Sequence, residues 1–366
     1  MTRTEAYLAL NLIPQVGPVR VKKLIRHLGS PEAVLSAKSR DLILVDGIGQ
    51  AQAEAISQWE SQIDLADELR KINERGLTLL TQDDPLYPRL LREIHDPPVL
   101  LYVWGELLPR DHNAIGIVGS RHATHYGLSA TKKLAFQIAY AGYTVISGLA
   151  RGIDTAAHEA ALAAKGRTIA VIGSGMGKLY PPENMALAER IAHNGAVLSE
   201  YPVDRIADKQ TFPYRNRVVA GWSCGLIVVE APLRSGSLIT AQQATDQGRT
   251  VYAVPGPIDK PTSAGCNRLI QQGAKLILDG ADVLDDLMSL FPTAPMAPKV
   301  QANAPAAELS LDERILFEAI GTEESHINDI TNRSGLTAAT VNATLMRLEM
   351  KRLIRALPGR RYVRLV

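Results

Sequence analysis

The amino-acid sequence predicts an α/β protein: a Rossmann-like, doubly wound, mostly parallel sheet, with a small N-terminal helical domain before it and a C-terminal winged helix after it. Three observations carry that expectation. Between residues 77 and 278, eight short and continuously apolar runs alternate with helical stretches, the pattern of strands covered on both faces. Four of these runs lead into loops of glycine, small hydroxyls and cations, where the βα turns of such a sheet gather their ligands. A stretch rich in Pro and Ala, 291–309, then separates the sheet from a tail with helical spacing and a closing strand pair.

In chain order, residues 1–75 read as small helices joined by glycine turns. Ile13–Arg20 and Leu44–Ala51 each place glycine between an apolar residue and a new helix, followed by apolar positions at helical spacing (Val21, Leu24 and Ile25; Ala51, Ala55 and Ile56). Both resemble helix–hairpin–helix (SAM-like) turns, whose free N–H groups at a helix start receive a DNA phosphate without reading sequence. Positive charge is sparse there: Lys22, Lys23 and Arg26 flank the first turn and none follows the second, so docking is the expected role. The sheet domain, 76–290, has strand runs at Leu77–Leu80, Ile115–Val118, Thr144–Ile146, Thr168–Ile172, Ala196–Leu198, Leu226–Val229, Val251–Val254 and Lys275–Leu278. Gly127–Ala141, Asp154–Ala164, Asn184–His193 and Ser237–Gln247 supply helices between them. After the 291–309 linker, the domain 310–366 shows helices near Leu311–Ile320, Ile327–Ser334 and Thr337–Lys351, then strands Leu353–Leu357 and Arg361–Leu365 around Pro358-Gly359. The presumptive reading helix, Thr337–Glu349, is small and apolar, and the wing is basic (Lys351, Arg352, Arg355, Arg360, Arg361, Arg364). Protein docking or weak backbone contact is therefore expected ahead of operator recognition.

Composition narrows the function classes. At 366 residues the chain exceeds one ordinary core, and 46% hydrophobic with 21% charged residues is a soluble globular balance. No apolar run is long enough to span a bilayer and the N-terminus lacks a secretory stretch, so a cytoplasmic protein is expected. Cys224 and Cys266 have no metal or disulfide spacing, and no cofactor is expected. With a net charge of only +2, any nucleic-acid contact must come from local patches.

Such patches exist. The four strand-ending loops are Val118–Gly127, Ser147–His158, Gly173–Asn184 and Arg234–Ala241. Their small residues let an anion approach backbone N–H groups, and their arginines supply paired donors, so an anion pocket follows. Gly173-Ser-Gly-Met-Gly177-Lys178-Leu179 is not a P-loop: it has three residues between its outer glycines instead of four, and Leu179 where a magnesium-binding hydroxyl belongs. It is not a dinucleotide fingerprint either, because it runs into Tyr180-Pro-Pro in place of a helix. Asp154 and His158 lie on one helical face but lack a third ligand, so they read as a loop-fixing pair.

The run Lys209-Gln-Thr-Phe212-Pro-Tyr-Arg215-Asn216-Arg217 joins three cations to a flat ring on which an unpaired base can stack, each base adding about 1–3 kcal/mol. On these nine residues alone, a solvated basic loop with one aromatic tucked inward stands equal to single-strand binding.

Taken together, Gly119-Ser120-Arg121, Ser147-Gly148-x-Ala-Arg151-Gly152-Ile-Asp154, Tyr180–Asn184, Lys209-x-x-Phe212-Pro-x-Arg215-Asn216-Arg217, Ser235–Ala241 and Val254-Pro-Gly256 resemble the DNA-processing protein A family, also called DprA or Smf. The resemblance covers most of residues 110–270, and the flanking segments resemble the three-part members. It implies a cytoplasmic bacterial single-stranded DNA-binding protein, not an enzyme, that protects incoming DNA during natural transformation and loads the recombinase RecA. It further implies a homodimer with no membrane partner. Carried onto matching positions, it implicates Arg121, Lys209 and Phe212 first, then Gly119, Ser120, Ser147, Gly148, Asn216 and Arg217 by motif position; Arg151 and Arg215 join them from the loops. Two other classes compete. A nucleotide phosphoribohydrolase would need a catalytic glutamate where Ser235–Gln243 ends in glutamine, and a ligand-sensing transcription factor would need a base-reading helix.

Overall fold

The computed structural model describes residues 1–290, 310–320, 325–337, 340–341, 344–345, 347–348, 353–357 and 361–364. The chain divides into two compact units at residue 297. In the first, nine strands form one sheet: β1 (Thr78–Thr81), β2 (Leu100–Gly105), β3 (Ala114–Val118), β4 (Thr144–Ser147), β5 (Thr168–Val171), β6 (Ala196–Ser199), β7 (Ser223–Val228), β8 (Thr250–Ala253) and β9 (Lys275–Leu276), in the order β1-β2-β6-β5-β4-β3-β7-β8-β9. From β6 to β9 all neighbours are parallel, while β1 and β2 join antiparallel at the β6 edge. The doubly wound sheet is as expected. β2 is an addition: Pro97-Pro98 precedes its apolar run and no helix links it to β1 in a right-handed crossover, so it does not follow the βα alternation.

Alternation along the strands divides the core. Ile115 and Ile117 of β3 face α9 (His125–Tyr140) and α10 (Ile153–Ala163), whereas Ala114 and Val118 face the opposite layer. That layer contains α8 (Arg89–Glu93), α12 (Thr211–Trp222), α13 (Gly236–Asp246) and α14 (Ala264–Gln271), and Trp222 is fully buried in it. α15 (Gly280–Leu290) lies beside α9.

The N-terminal helices are α1 (Arg3–Leu12), α2 (Pro18–Leu28), α3 (Pro31–Ser36), α4 (Ser39–Leu42), α5 (Gln50–Ser57), α6 (Trp59–Gln62) and α7 (Leu65–Glu74). They share one apolar cluster with Leu100 and Tyr102 of β2, Val197 of β6 and α11 (Met185–Asn194), and so cover the sheet face that α9 and α10 leave open. Gly17 and Gly49 cap α2 and α5, and Arg20 donates to Gln15 O (2.9 Å) and Gly47 O (3.0 Å), tying the two hairpin turns together. That bonding suits a structural turn pair.

In the second unit, α16 (Leu311–Ala319) and α17 (Ile327–Ser334) pack with a three-stranded antiparallel sheet of β10 (Ser325–His326), β12 (Arg361–Arg364) and β11 (Ile354–Leu357), in that order. Leu316, Ile320, Ile330, Leu345, Leu348 and Ile354 form its core. The expected linker 291–309, much of the reading helix, and Lys351, Arg352 and Arg360 lie outside the described residues. Of the wing cations, Arg364 is committed internally, donating to Phe317 O (2.7 Å) with its guanidinium 4.3 Å from the Phe317 ring.

Candidate nucleic-acid interface

The strand order reverses between β3 and β7: the chain winds outward from β3 through β4 and β5 to β6, then returns to place β7 beside β3 and winds the other way. At such a switch point the loops leaving adjacent strands diverge and open a crevice. Here the crevice is a cavity of about 500 Å³. It is walled by Gly119–His122 after β3, Gly148 and Ala150 after β4, Lys209 and the exposed face of α12, and Pro232–Thr240 entering α13. A slot of about 20 Å³ adjoins it, bounded by Arg121, Arg151, Tyr180, Phe212 and Arg215.

The walls are fixed by local bonding. Ser120 N donates to Glu230 O (2.7 Å), Ser120 Oγ accepts from His122 N (3.1 Å), and the buried Glu230 carboxylate accepts from Thr124 N (2.9 Å), so both sides of the Arg121 turn are held. Gly152 sits at φ +76°, and a Cβ there would lie 2.4 Å from Ser120 O, which explains glycine after Arg151. The Lys209–Arg217 run is mostly helix, which removes the solvated loop that the sequence left equal to a single-strand site. Asp208 Oδ1 accepts from Gln210 N (2.8 Å) and Thr211 N (2.9 Å), and α12 begins at once with Pro213 in its first turn, where a missing N–H costs nothing.

Helical periodicity then sorts the run. Lys209, before the helix, is exposed on the rim, and it forms no ion pair among the described residues. Phe212 is half-buried between the two cavities; the Arg121 guanidinium lies 4.9 Å from its ring centroid and the Tyr180 ring 5.8 Å away at 55°. Arg215 is 5% exposed at the cavity floor. Its Nη1 donates to Gly148 O and Val171 O and its Nε to Asn216 Oδ1 (3.1 Å), while among the described residues no hydrogen bond engages Nη2. A Cβ on Gly148 would lie 2.2 Å from that Nη1, so only glycine admits the arginine. Burial pushes the Arg215 pKa down; Asp154 opposes this and Arg121 adds to it. Asp154 is itself raised by burial, with Arg215 and the N–H groups of Gly148 (3.1 Å) and Ala150 (3.3 Å) pulling the other way. His158 turns from Asp154 to Thr168 Oγ1 (2.7 Å), and burial drops its pKa to about 3, so the two form no acid–base pair.

Two assignments need correction. Arg217 does not face the cavity: it is 4% exposed and binds Glu200 (2.6 and 2.8 Å) and Asp96 (2.9 Å), because its side chain leaves α12 in a different direction from Arg215. Ser147 is fully buried with Oγ donating to Ile117 O (2.6 Å), a strand-to-strand bond away from the wall. Arg215 stays at the cavity, as a fixed floor group. Arg151 borders the slot but is paired with Glu183. Gly119, Ser120, Gly148, Asn216, Arg121, Lys209 and Phe212 do meet at the cavity. Tyr180, Arg234 and Ser237, which lie in the quoted loops but not among the candidate site residues, also belong here: Tyr180 borders the slot, and Arg234 and Ser237 line the larger cavity.

Arg121, Lys209, Arg215 and Arg234 line the larger cavity against one carboxylate, Asp154. Four cations and a tilted aromatic pair suit a polyanion carrying flat rings.

Residues 78–288 match the family model described as DNA recombination-mediator protein A, 300–360 a DprA winged helix domain and 7–66 a helix-hairpin-helix motif. The chain is 34% identical to Protein Smf of Synechocystis over 98% of both sequences. The X-ray structure of DNA processing protein A from Streptococcus pneumoniae superposes with a TM-score of 0.69 at 37% identity, covering 78% of this chain and 98% of that one. A structure of DNA processing protein A from Helicobacter pylori, described for its single-stranded DNA binding mode, gives a TM-score of 0.52 at 30% identity, covering 58% and 96%.

Proposed function

The chain belongs to the DNA-processing protein A family, and on that premise we propose that it binds single-stranded DNA in the switch-point cavity, protecting incoming strands and passing them to a RecA-type recombinase. The observation that carries this reading is the convergence of four cations and the half-exposed Phe212 ring on one cavity with a single internally bonded carboxylate. Phosphates meet Arg121, Lys209 and Arg234, the fixed Arg215 adds charge from below, and a base stacks on Phe212. Gly119, Ser120, Gly148 and Asn216 shape the wall, and Arg151 becomes available on release from Glu183.

The role is binding and not catalysis. In place of a catalytic glutamate, Gln243 donates from Nε2 to Pro213 O (3.1 Å), fastening α13 to α12. Among the described residues no helix is long and apolar enough to cross a membrane; the cytoplasmic setting is carried over from the family. Homodimerisation and recombinase loading are carried over from the family; sedimentation of the purified protein, and strand-exchange assays with and without it, test them.

The direct test is fluorescence anisotropy with matched single-stranded and duplex oligonucleotides. Preferential single-strand binding is expected, and equal or tighter duplex binding sinks the proposal. Arg121→Ala and Lys209→Ala are each expected to weaken binding about fourfold at about 0.15 M salt, from the roughly 0.7 counterion released per phosphate contact, and to lower the salt slope by that amount. A folded variant with unchanged affinity and slope removes its residue from the interface. A chain ending at residue 290 is expected to keep most single-strand affinity, since every cavity residue lies before Ala241; loss of nearly all binding would move the principal site into the tail.

A further inference from the structure

Between β6 and α12 the chain crosses residues 200–210 without joining the sheet, and this segment delivers Lys209 to the cavity rim. What fixes it comes largely from the N-terminal helices. Glu68 of α7, 6% exposed, accepts from Val203 N through Oε1 (2.8 Å). Three residues on, Lys71 bridges Asp67 (2.5 Å) and Asp204 (2.8 Å). Asn11 of α1 donates to Glu200 O (3.1 Å), while the Glu200 carboxylate holds Arg217 of α12. Val203 is fully buried in the apolar cluster of the N-terminal helices. Beyond it, Arg205 pairs with Asp208 (2.5 Å), and Asp208 Oδ1 accepts from Gln210 N and Thr211 N, the two amides that follow Lys209. A continuous bonded path therefore runs from α7 to Lys209, whose side chain forms no ion pair among the described residues.

A buried carboxylate facing a backbone N–H in an irregular segment is costly to desolvate, and here it satisfies an amide that no strand or helix supplies a partner for. We propose that the N-terminal helices brace the DNA-binding segment, with Glu68 as a positioning residue that sets the placement of Lys209 without touching DNA. The proposal rests on the single-strand reading of the cavity.

The experiment is a double-mutant cycle on the full chain with a labelled oligothymidylate, alongside amide hydrogen exchange over residues 203–211. Glu68→Ala is expected to lose about fourfold in affinity at about 0.15 M salt and about 0.7 in salt slope, the signature of one missing phosphate contact. Glu68→Gln keeps an acceptor for Val203 N and should restore both. In a Lys209→Ala background, Glu68→Ala should add no further loss, whereas a general destabilisation would multiply. Wild-type affinity and slope in folded Glu68→Ala, or multiplying losses in the double variant, overturn the brace. If Glu68→Ala does not fold, Lys71→Ala takes its place: a loss that vanishes in the Lys209→Ala background supports the brace, and no loss overturns it. If the wild type does not bind the oligonucleotide, the single-strand reading fails, and hydrogen exchange alone decides the brace: faster exchange at 203–211 in the variant supports it and unchanged exchange overturns it.

Discussion

Phe212→Ala is expected to lose about 1–3 kcal/mol of single-strand affinity, a factor of roughly 5 to 150, while its melting temperature stays close to that of the parent. The ring is half-buried at the junction of the two cavities and not in the apolar core, so the variant should escape the about 3–5 kcal/mol cost of emptying a core phenylalanine. Part of the loss is offset in advance. In the free protein Arg121 already covers the ring at 4.9 Å, and a stacking base must displace it. Equilibrium binding and thermal unfolding of the same preparation separate the contributions. A large fall in melting temperature with undiminished affinity would show that Phe212 packs and does not stack.

The opposite pattern is expected at Arg217. Its side chain is 5% exposed and faces Glu200, itself 13% exposed, so Arg217→Ala strands a buried carboxylate and should cost about 3–5 kcal/mol of stability. In a Glu200→Gln background the same substitution should cost less, because the carboxylate left behind, Asp96, is 29% exposed and can be hydrated. Denaturant unfolding reads both, and DNA affinity of the folded fraction should change by less than about twofold, since no phosphate contact is removed. Wild-type stability with lost binding would return Arg217 to the interface.

These neighbours show where the sequence stops being legible. Arg215 and Arg217 look equivalent in the motif, yet one lines the cavity floor and the other closes an ion pair with Asp96 and Glu200. Nothing local encodes the difference, because those acids arrive from the α8–β2 connection and the end of β6. The parallel strands were readable because burial on both faces leaves uninterrupted apolar runs such as Ile115–Val118. β2 carries an equally apolar run, but its antiparallel pairing has no crossover helix to announce it. The glycine loops marked the cavity correctly, since close approach is a local demand. By contrast, the cluster joining α1–α7 to Tyr102 and Val197 is a tertiary fact that helical periodicity alone does not reveal.

The pairing of Ile117 with Ile227 has a consequence for the protein's birth. At about 5–20 residues per second, Arg121 leaves the ribosome several seconds before Lys209, and the Ser235–Thr240 loop emerges later still. Until β7 inserts beside β3, the earlier loops have no opposite bank, and pairing of such distant segments is slow because the intervening chain must first close. A nascent chain, or one terminated before β7 and the Ser235–Thr240 loop, therefore lacks the cavity whatever cations it displays, and it gains the cavity only once β7 stands beside β3.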